Sequence, residues 1–350
     1  MRLLAAILFF LAALPAAEAG TYQFPARVAG GGALHIEGSG DIEAIQPLIS
    51  DFQSLNPNIA ITYDDTLTNN LYARLVTACD SGEALADLVF SSSVDHMVKL
   101  ANDGCASEHR SPETARVPSY ARWRDEVYGF TFEPAVIVYN RARVPPEDIP
   151  HTRDALADLL RRKADVYDGK VGTYDIARSG IGYLFAFFDA QESSTFGRLA
   201  EGFGRSHAKL FCCTGELLHE IEAGRLLIGY NLLGSYAYGR LKAGAPIGIV
   251  LPADYTLVLS RAAFVPRAAA NPAAGGAFLD YLLSARGQQV ALRTSFFFAQ
   301  GADLPDGLDA ATQAAQAIRP IPIGPDLLAV ADRQKRQRLL KAWSDSVLVK

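Results

Sequence analysis

Between residues 33 and 104 the apolar residues switch repeatedly between two spacings, and this constrains the fold more than any other feature of the chain. Residues 33–37 (ALHIE) form a short run that reads as a strand. After Gly38-Ser39-Gly40-Asp41, the residues Ile42, Ile45, Leu48, Ile49 and Phe52 recur on one face of a helix. Pro47 falls inside that period and predicts either a kink or the helix's true first turn. Asn56-Pro57-Asn58 stops the helix, and residues 59–63 alternate as a second strand. Strand, helix and strand in this order imply a crossover, hence a parallel sheet. The unit repeats with a helix at 71–79, a buried strand at 88–90 and a helix at 94–102. Ser91-Ser92-Ser93 supplies N-cap chemistry for that last helix, with Asp95 in its first turn and Gly104 as its C-cap.

A second α/β pattern follows. Extended runs at 127–132 and 135–139 are broken at Glu133-Pro134, and Pro145-Pro146 marks a boundary. Then come a helix at 152–162, a strand at 171–174, an aromatic helix at 181–190 behind Ser179-Gly180, and helices at 196–204 and 215–223. A strand at 226–228 ends in Gly229-Tyr230-Asn231, and the turn Gly234-Ser235 opens a helix carrying Tyr236 and Tyr238. Residues 247–251 form another apolar run, Pro252-Ala253-Asp254 breaks it, and 255–259 resumes as a strand. An apolar run at 262–265, a helix at 273–284, a turn at Arg286-Gly287, a helix at 288–294 and a Pro-rich stretch at 319–325 precede a last helix from Asp326 to about Val347. The 350 residues exceed one usual hydrophobic core. The pattern predicts an α/β chain of two lobes joined by extended segments at about 132–139 and 252–259. The first lobe is then discontinuous (20–132 and 258–350, including the C-terminal helix), and the second spans 133–257.

Met1-Arg2, the apolar residues 3–14 and Ala17-Glu18-Ala19 read as a signal peptide cleaved near Ala19, so the expected location is the periplasm. The apolar run is too short for a membrane span. Export permits disulfides. Cys79 and Cys105 share the first lobe and can bridge, whereas Cys212 and Cys213 are adjacent and can join each other only in a vicinal ring. Four cysteines allow three pairings, and their spacing does not select one. A net charge of −5 argues against a nucleic-acid partner. Enzyme motifs fail where they begin. His219-Glu220 lacks the second His four residues on, where Ala223 stands, and residues 206–209 (SHAK) have no K-T-G partner. The chain therefore reads as a binder without catalytic residues, metal or cofactor, with an exported hydrolase as the enzyme alternative.

Residues 52–63 (FQSLNPNIAITY), 88–104 (LVFSSSVDHMVKLANDG), 169–189 (GKVGTYDIARSGIGYLFAFFD), 228–238 and 278–288 (FLDYLLSARGQ) resemble the type II periplasmic solute-binding proteins of ABC importers, in the branch that binds ferric ion and phosphorylated solutes. The resemblance covers roughly residues 30–300. It implies two Rossmann-like lobes, two hinge strands and closure over a solute at the interface. It also implies an inner-membrane ABC permease as partner. A sensing branch, the regulators of phosphoglycerate transport, implies instead a membrane histidine kinase. The protein is expected to be a monomer. Ferric binders of this family carry adjacent tyrosines in the second lobe. Here Tyr236-Ala237-Tyr238 stands in their place, which favours a small anionic solute, carboxylated or phosphorylated, over iron.

In such lobes ligands sit beyond the C-terminal strand ends, against helix N-termini whose free N–H groups favour anions. Ser39 and Gly40, Ser92 and Ser93, and Arg178 with Ser179 occupy such places, although each also serves as plain N-cap chemistry. Arg178 offers a guanidinium fork for a carboxylate or phosphate, so Arg178→Ala is expected to weaken binding at least tenfold. Tyr174 and Asp175 lie just before it. Tyr230, Asn231, Ser235, Asp254 and Tyr255 form the expected second-lobe wall, and Glu133 stands at the first crossover as a ligand contact or a hinge fixture. Tyr236 and Tyr238 are two apart on a helix, so only one can face a ligand.

Overall fold

Two separate sheets organise the chain in the computed structural model, which describes residues 20–294 and 318–348. The leader expected at residues 1–19 lies outside the described residues. The first part contains β1 (Gly20–Phe24), β2 (Ala33–Gly38), α1 (Ile42–Leu55), β3 (Ala60–Asp65), α2 (Thr68–Ser81), β4 (Leu88–Ser91) and α3 (Val94–Asn102), then the short strands β5 (Ala106–Ser107), β6 (Arg122–Trp123) and β7 (Val127–Gly129). β2 pairs in parallel with both β3 and β4, as the strand-helix-strand order requires. Helix α1 buries Ile45, Leu48, Ile49 and Phe52. Each such side chain contributes roughly 1.5–3 kcal/mol, and Phe52 packs edge-on against Phe278 at 4.9 Å. The helix runs on through Pro47, which cannot donate to the Glu43 carbonyl one turn back.

The second part begins with β8 (Glu133–Asn140) and continues through α4 (Arg153–Arg162), α5 (Ala164–Tyr167), β9 (Val171–Tyr174), α6 (Gly180–Glu192), α7 (Thr195–Arg205), β10 (Lys209–Phe211), α8 (Thr214–Glu222), β11 (Ile228–Leu233), α9 (Gly234–Lys242), β12 (Ile247–Val250) and β13 (Thr256–Leu259). The chain then adds β14 (Ala262–Pro266), α10 (Pro272–Leu283), α11 (Ala285–Thr294), β15 (Ile318–Pro320) and α12 (Arg333–Val347). The first sheet has the order β1-β3-β2-β4-β14-β7-β6, with β5 against β14. The second has the order β10-β9-β11-β8-β13-β15, with β12 against β8. The chain therefore changes sheets between Gly129 and Glu133 and again between Leu259 and Ala262. At these crossings β8 and β13 lie antiparallel, with Glu133 opposite Leu259 and Pro134 opposite Val258.

Several local expectations need correction. Tyr230 and Asn231 are not at a strand end. They sit inside β11, where its register against β8 shifts, and Asn231 takes the left-handed conformation at φ 61°. Arg286-Gly287 does not form a turn but lies within α11. Strand β15 occupies the start of the Pro-rich stretch, paired with β13. The last helix starts at Arg333, and although residues 258–350 are expected in the first lobe, this helix packs on α7 of the second part. Its Trp343 packs on Phe196 and Phe203 of α7, at 6.1 and 6.0 Å, because these aromatics offer its apolar stripe a partner. Strand β1 adds an edge to the first sheet, antiparallel to β3. Among the described residues, no helix is long and apolar enough to cross a membrane.

Candidate functional site

The junctions after parallel strands in the two sheets face each other across a cavity of about 450 Å³. From the first sheet come Ser39, Asp41 and Glu43 after β2, Asp65 at the end of β3 with Thr68 beyond it, and Ser92 after β4. The second-sheet wall contains the start of α8 from Cys212 to Glu216, together with Leu233, Tyr236 and Arg240 around α9. Arg261, at the return crossing, reaches the same space. Both walls are the carboxyl ends of strands, where a doubly wound sheet leaves helix N-termini open.

The electrostatics of the cavity follow from those termini. Helices α1, α2, α8 and α9 each begin there with no side-chain hydrogen bond at the N-cap. The first turns of these helices therefore lack a side-chain cap, and each terminus carries about half a positive charge. Arg261 is 1 % exposed. Its Nε donates to Glu133 Oε1 at 3.0 Å and its Nη2 to Oε2 at 3.4 Å, while Nη1 donates to the Ser39 carbonyl. Burial alone would lower the Arg261 pKa, but Glu133 and Tyr236 outweigh it and hold the guanidinium charged. Glu133 also accepts from Thr131 at 2.9 Å and Ser235 at 2.8 Å, so all the partners of this carboxylate are within the protein.

The two walls touch at several points. The Asp41 amide donates to the Tyr236 hydroxyl at 3.1 Å. The Gly180 amide donates to Thr68 Oγ1 at 3.0 Å, and Asn69 Nδ2 donates to the Arg178 carbonyl at 2.7 Å. A Cβ at Gly180 would lie 2.3 Å from Ser93 Oγ, so only glycine permits this approach. On the first-sheet side, burial and then the neighbouring Asp41 push the Asp65 carboxyl up to about 8. Burial also raises Asp41, against the opposing pull of Arg261. The cysteines pair as Cys79–Cys105 and Cys212–Cys213, and the second, vicinal pair forms part of the cavity wall.

Of the residues expected from sequence, Ser39 and Ser92 line the cavity. Ser39 Oγ accepts from the Ser92 amide at 3.2 Å and thereby ties the ends of β2 and β4 together. Gly40 lies just behind, bonded to Tyr63 in both directions. Ser93 is buried beside Gly180, with its hydroxyl unpaired. Tyr174 bonds Thr214 at 2.5 Å beneath the wall, Asp175 caps its own turn through the Ala177 amide, and Ser179 caps α6 through the Gly182 amide. Arg178 is exposed and does not line the cavity, so its side chain is not placed to hold a ligand there. Glu133 holds Arg261 from behind, and Ser235 donates to Glu133. Tyr230, Asn231, Asp254 and Tyr255 do not form a cleft wall either: they close on Arg153 and Asp189 inside the second half. Tyr236 lines the cavity and Tyr238 does not, as their spacing requires. Sequence reasoning missed Asp41, Asp65, Thr68, Thr214, Glu216 and Arg240. Most of these lie at strand-to-helix junctions that the strand-end rule, applied to every such junction, reaches.

The family described as bacterial extracellular solute-binding protein matches residues 35–296. No curated protein matches. A solved substrate-binding protein of an ABC transporter from Agrobacterium tumefaciens is 37% identical, covers 95% of this chain and 100% of its own, and superposes with a TM-score of 0.88. The periplasmic binding protein AfuA from Actinobacillus pleuropneumoniae, solved with fructose-6-phosphate, is 16% identical over 92% of this chain and 100% of its own, with a TM-score of 0.71. Iron-bound HitA from Pseudomonas aeruginosa is 15% identical over 90% and 99%, with a TM-score of 0.67. At such identities the last two show a shared fold.

Proposed function

The chain belongs to the bacterial extracellular solute-binding proteins, and from that premise we propose that it captures a small solute bearing an anionic group in the cavity between its two sheets. One observation carries this reading: N-termini of several helices without side-chain caps converge, with Arg240 and Arg261, on a single cavity. Such termini are ready-made anion sites. The cavity volume falls in the range of small-molecule pockets. Ser39, Ser92, Thr68 and Thr214 add hydroxyl donors around the same space.

As a solute-binding protein of an ABC transporter it works with a membrane permease. The finer reading is a periplasmic monomer, released by cleavage near Ala19, which closes by rotation about β8 and β13 and binds without turnover. The paired hinge strands and the contacts of Thr68 and Asn69 with the start of α6 support this motion. Presentation of the loaded form to a sensor kinase is the second use of the same closure. Tyr236 alone of its pair faces the cavity, which supports an organic solute over ferric iron.

The test is a thermal-shift screen over phosphate esters, di- and tricarboxylates, sugar phosphates and ferric citrate, followed by calorimetry. A true ligand at one hundred times its dissociation constant stabilises by about 2.7 kcal/mol. Stabilisation only by neutral solutes would overturn the reading, as would a visible phenolate-to-metal band with iron alone.

A further inference from the structure

The cavity has a charge balance that a purely anionic solute does not satisfy. Four carboxylates line it, from Asp41, Glu43, Asp65 and Glu216, against the two guanidiniums of Arg240 and Arg261. Both guanidiniums already have carboxylate partners outside this set: Arg261 is held by Glu133, and Arg240 lies 3.7 Å from Glu222. Among the described residues, none of the four lining carboxylates forms an ion pair. The helix termini supply partial positive charge around the cavity, but they do not supply a cation.

Asp41 and Asp65 are the best placed of the four. They stand at the ends of adjacent strand-to-helix junctions and act on each other electrostatically. Asp41 Oδ2 also reaches the opposite wall, where a Cβ on Gly215 would lie 3.2 Å from it. A cationic group between these two carboxylates would therefore contact both halves of the molecule. Arg261 pulls against the cost of this pair without cancelling it, and burial with mutual repulsion still leaves Asp65 holding a proton near neutral pH.

Deepening the solute-binding reading above, on which it rests, we propose that the solute is a short zwitterion, its ammonium group received by Asp41 and Asp65 and its anionic group by the helix termini beside Arg240. Matched pairs that differ only in the amine test this by calorimetry: phosphoethanolamine against ethyl phosphate, β-alanine against propionate, and taurine against ethanesulfonate, with ethylamine as the amine alone. The expected result is at least one pair whose amino member binds at least tenfold more tightly. Asp65→Asn and, separately, Asp41→Asn should shrink that ratio to under threefold while leaving the circular dichroism spectrum unchanged. A des-amino anion that binds as tightly as its amino partner overturns the zwitterion and leaves the anion reading standing. Ethylamine matching the best zwitterion overturns the anion reading instead. If no pair binds while the wider screen finds an amine-free anion, the zwitterion is again overturned.

Discussion

Two buried arginines divide the molecule into a sealed half and an open one. Arg153, at the start of α4, donates to Asp189 at 3.1 Å, to the Tyr230 hydroxyl at 2.7 Å and to Asp254 at 3.3 Å, and its guanidinium carbon lies 3.6 Å from the centre of the Tyr255 ring. Asp189 in turn accepts from Tyr230, Asn231 and Tyr255, at 2.7, 2.6 and 2.8 Å. Arg261 is equally buried, but it spans the crossover, with Glu133 behind it, the Ser39 carbonyl beside it and the cavity in front. The same residue types thus serve two ends. At Arg153 two of the three guanidinium nitrogens, Nε and Nη1, are paired inside the protein and Nη2 alone is not, which leaves little for a ligand; where helix termini and carboxylates stay uncompensated, a ligand has work to complete.

The largest expected effect is at the sealed site. Arg153→Met leaves Asp189 buried among phenols without its guanidinium partner, and removing one partner of such a pair costs roughly 3–5 kcal/mol. Urea denaturation should show that loss, while calorimetry on the folded protein shows an affinity within about twofold of wild type. A large loss of affinity with little loss of stability would break the comparison outright. Arg261→Met is next. It should lower stability by about 2–4 kcal/mol, because Glu133 is stranded, and also weaken solute binding by at least about tenfold. If only stability changes, Arg261 belongs with Arg153 as a structural fixture.

The contrast also explains what the sequence could reveal. The strand-helix-strand order of residues 33–104 was legible because periodicity is local, and the parallel pairing of β2 with β3 and β4 follows from it. Ser39 and Ser92 were legible by the strand-end rule, which needs only the next helix. Tyr230 and Asn231 were misleading because a register shift places them in mid-strand, and because their partner, Asp189, is hidden in an aromatic helix about forty residues earlier. Arg178 sat at a correct junction, but its side chain turns outward while Asn69 takes its carbonyl. Arg261 and Arg240 escaped notice because their role depends on segments more than a hundred residues away, which no spacing records.

A smaller effect separates two exposed arginines. Arg240 lines the cavity and Arg178 does not, although both lie at the surface. Arg240→Ala should weaken binding about tenfold, equivalent to ~1.4 kcal/mol, and Arg178→Ala should leave it unchanged. Stability should move by no more than about 0.5 kcal/mol in either variant. The reverse order of affinities would return the anion to the start of α6.

A further effect depends on pH and concerns the open half alone. The Asp65 carboxyl is pushed up to about 8 from an ordinary value of 3.8, chiefly by burial and then by Asp41. Between these values the native state keeps a proton that the unfolded chain has released. The contribution of Asp65 is therefore fully present below pH 4, falls as pH rises, and is gone above about 8. Asp65→Asn carries no such group, so its melting temperature without ligand should match wild type near pH 4 and exceed it increasingly toward pH 8.5. Each kcal/mol of relief is worth about 2–4 °C in a chain of a few hundred residues. Added zwitterion should erase the wild-type deficit at high pH, because an ammonium group compensates the ionised pair that the empty cavity leaves exposed to its own repulsion. A constant offset between the two proteins across the range would mean that Asp65 ionises normally and that the open half is less strained than its geometry implies.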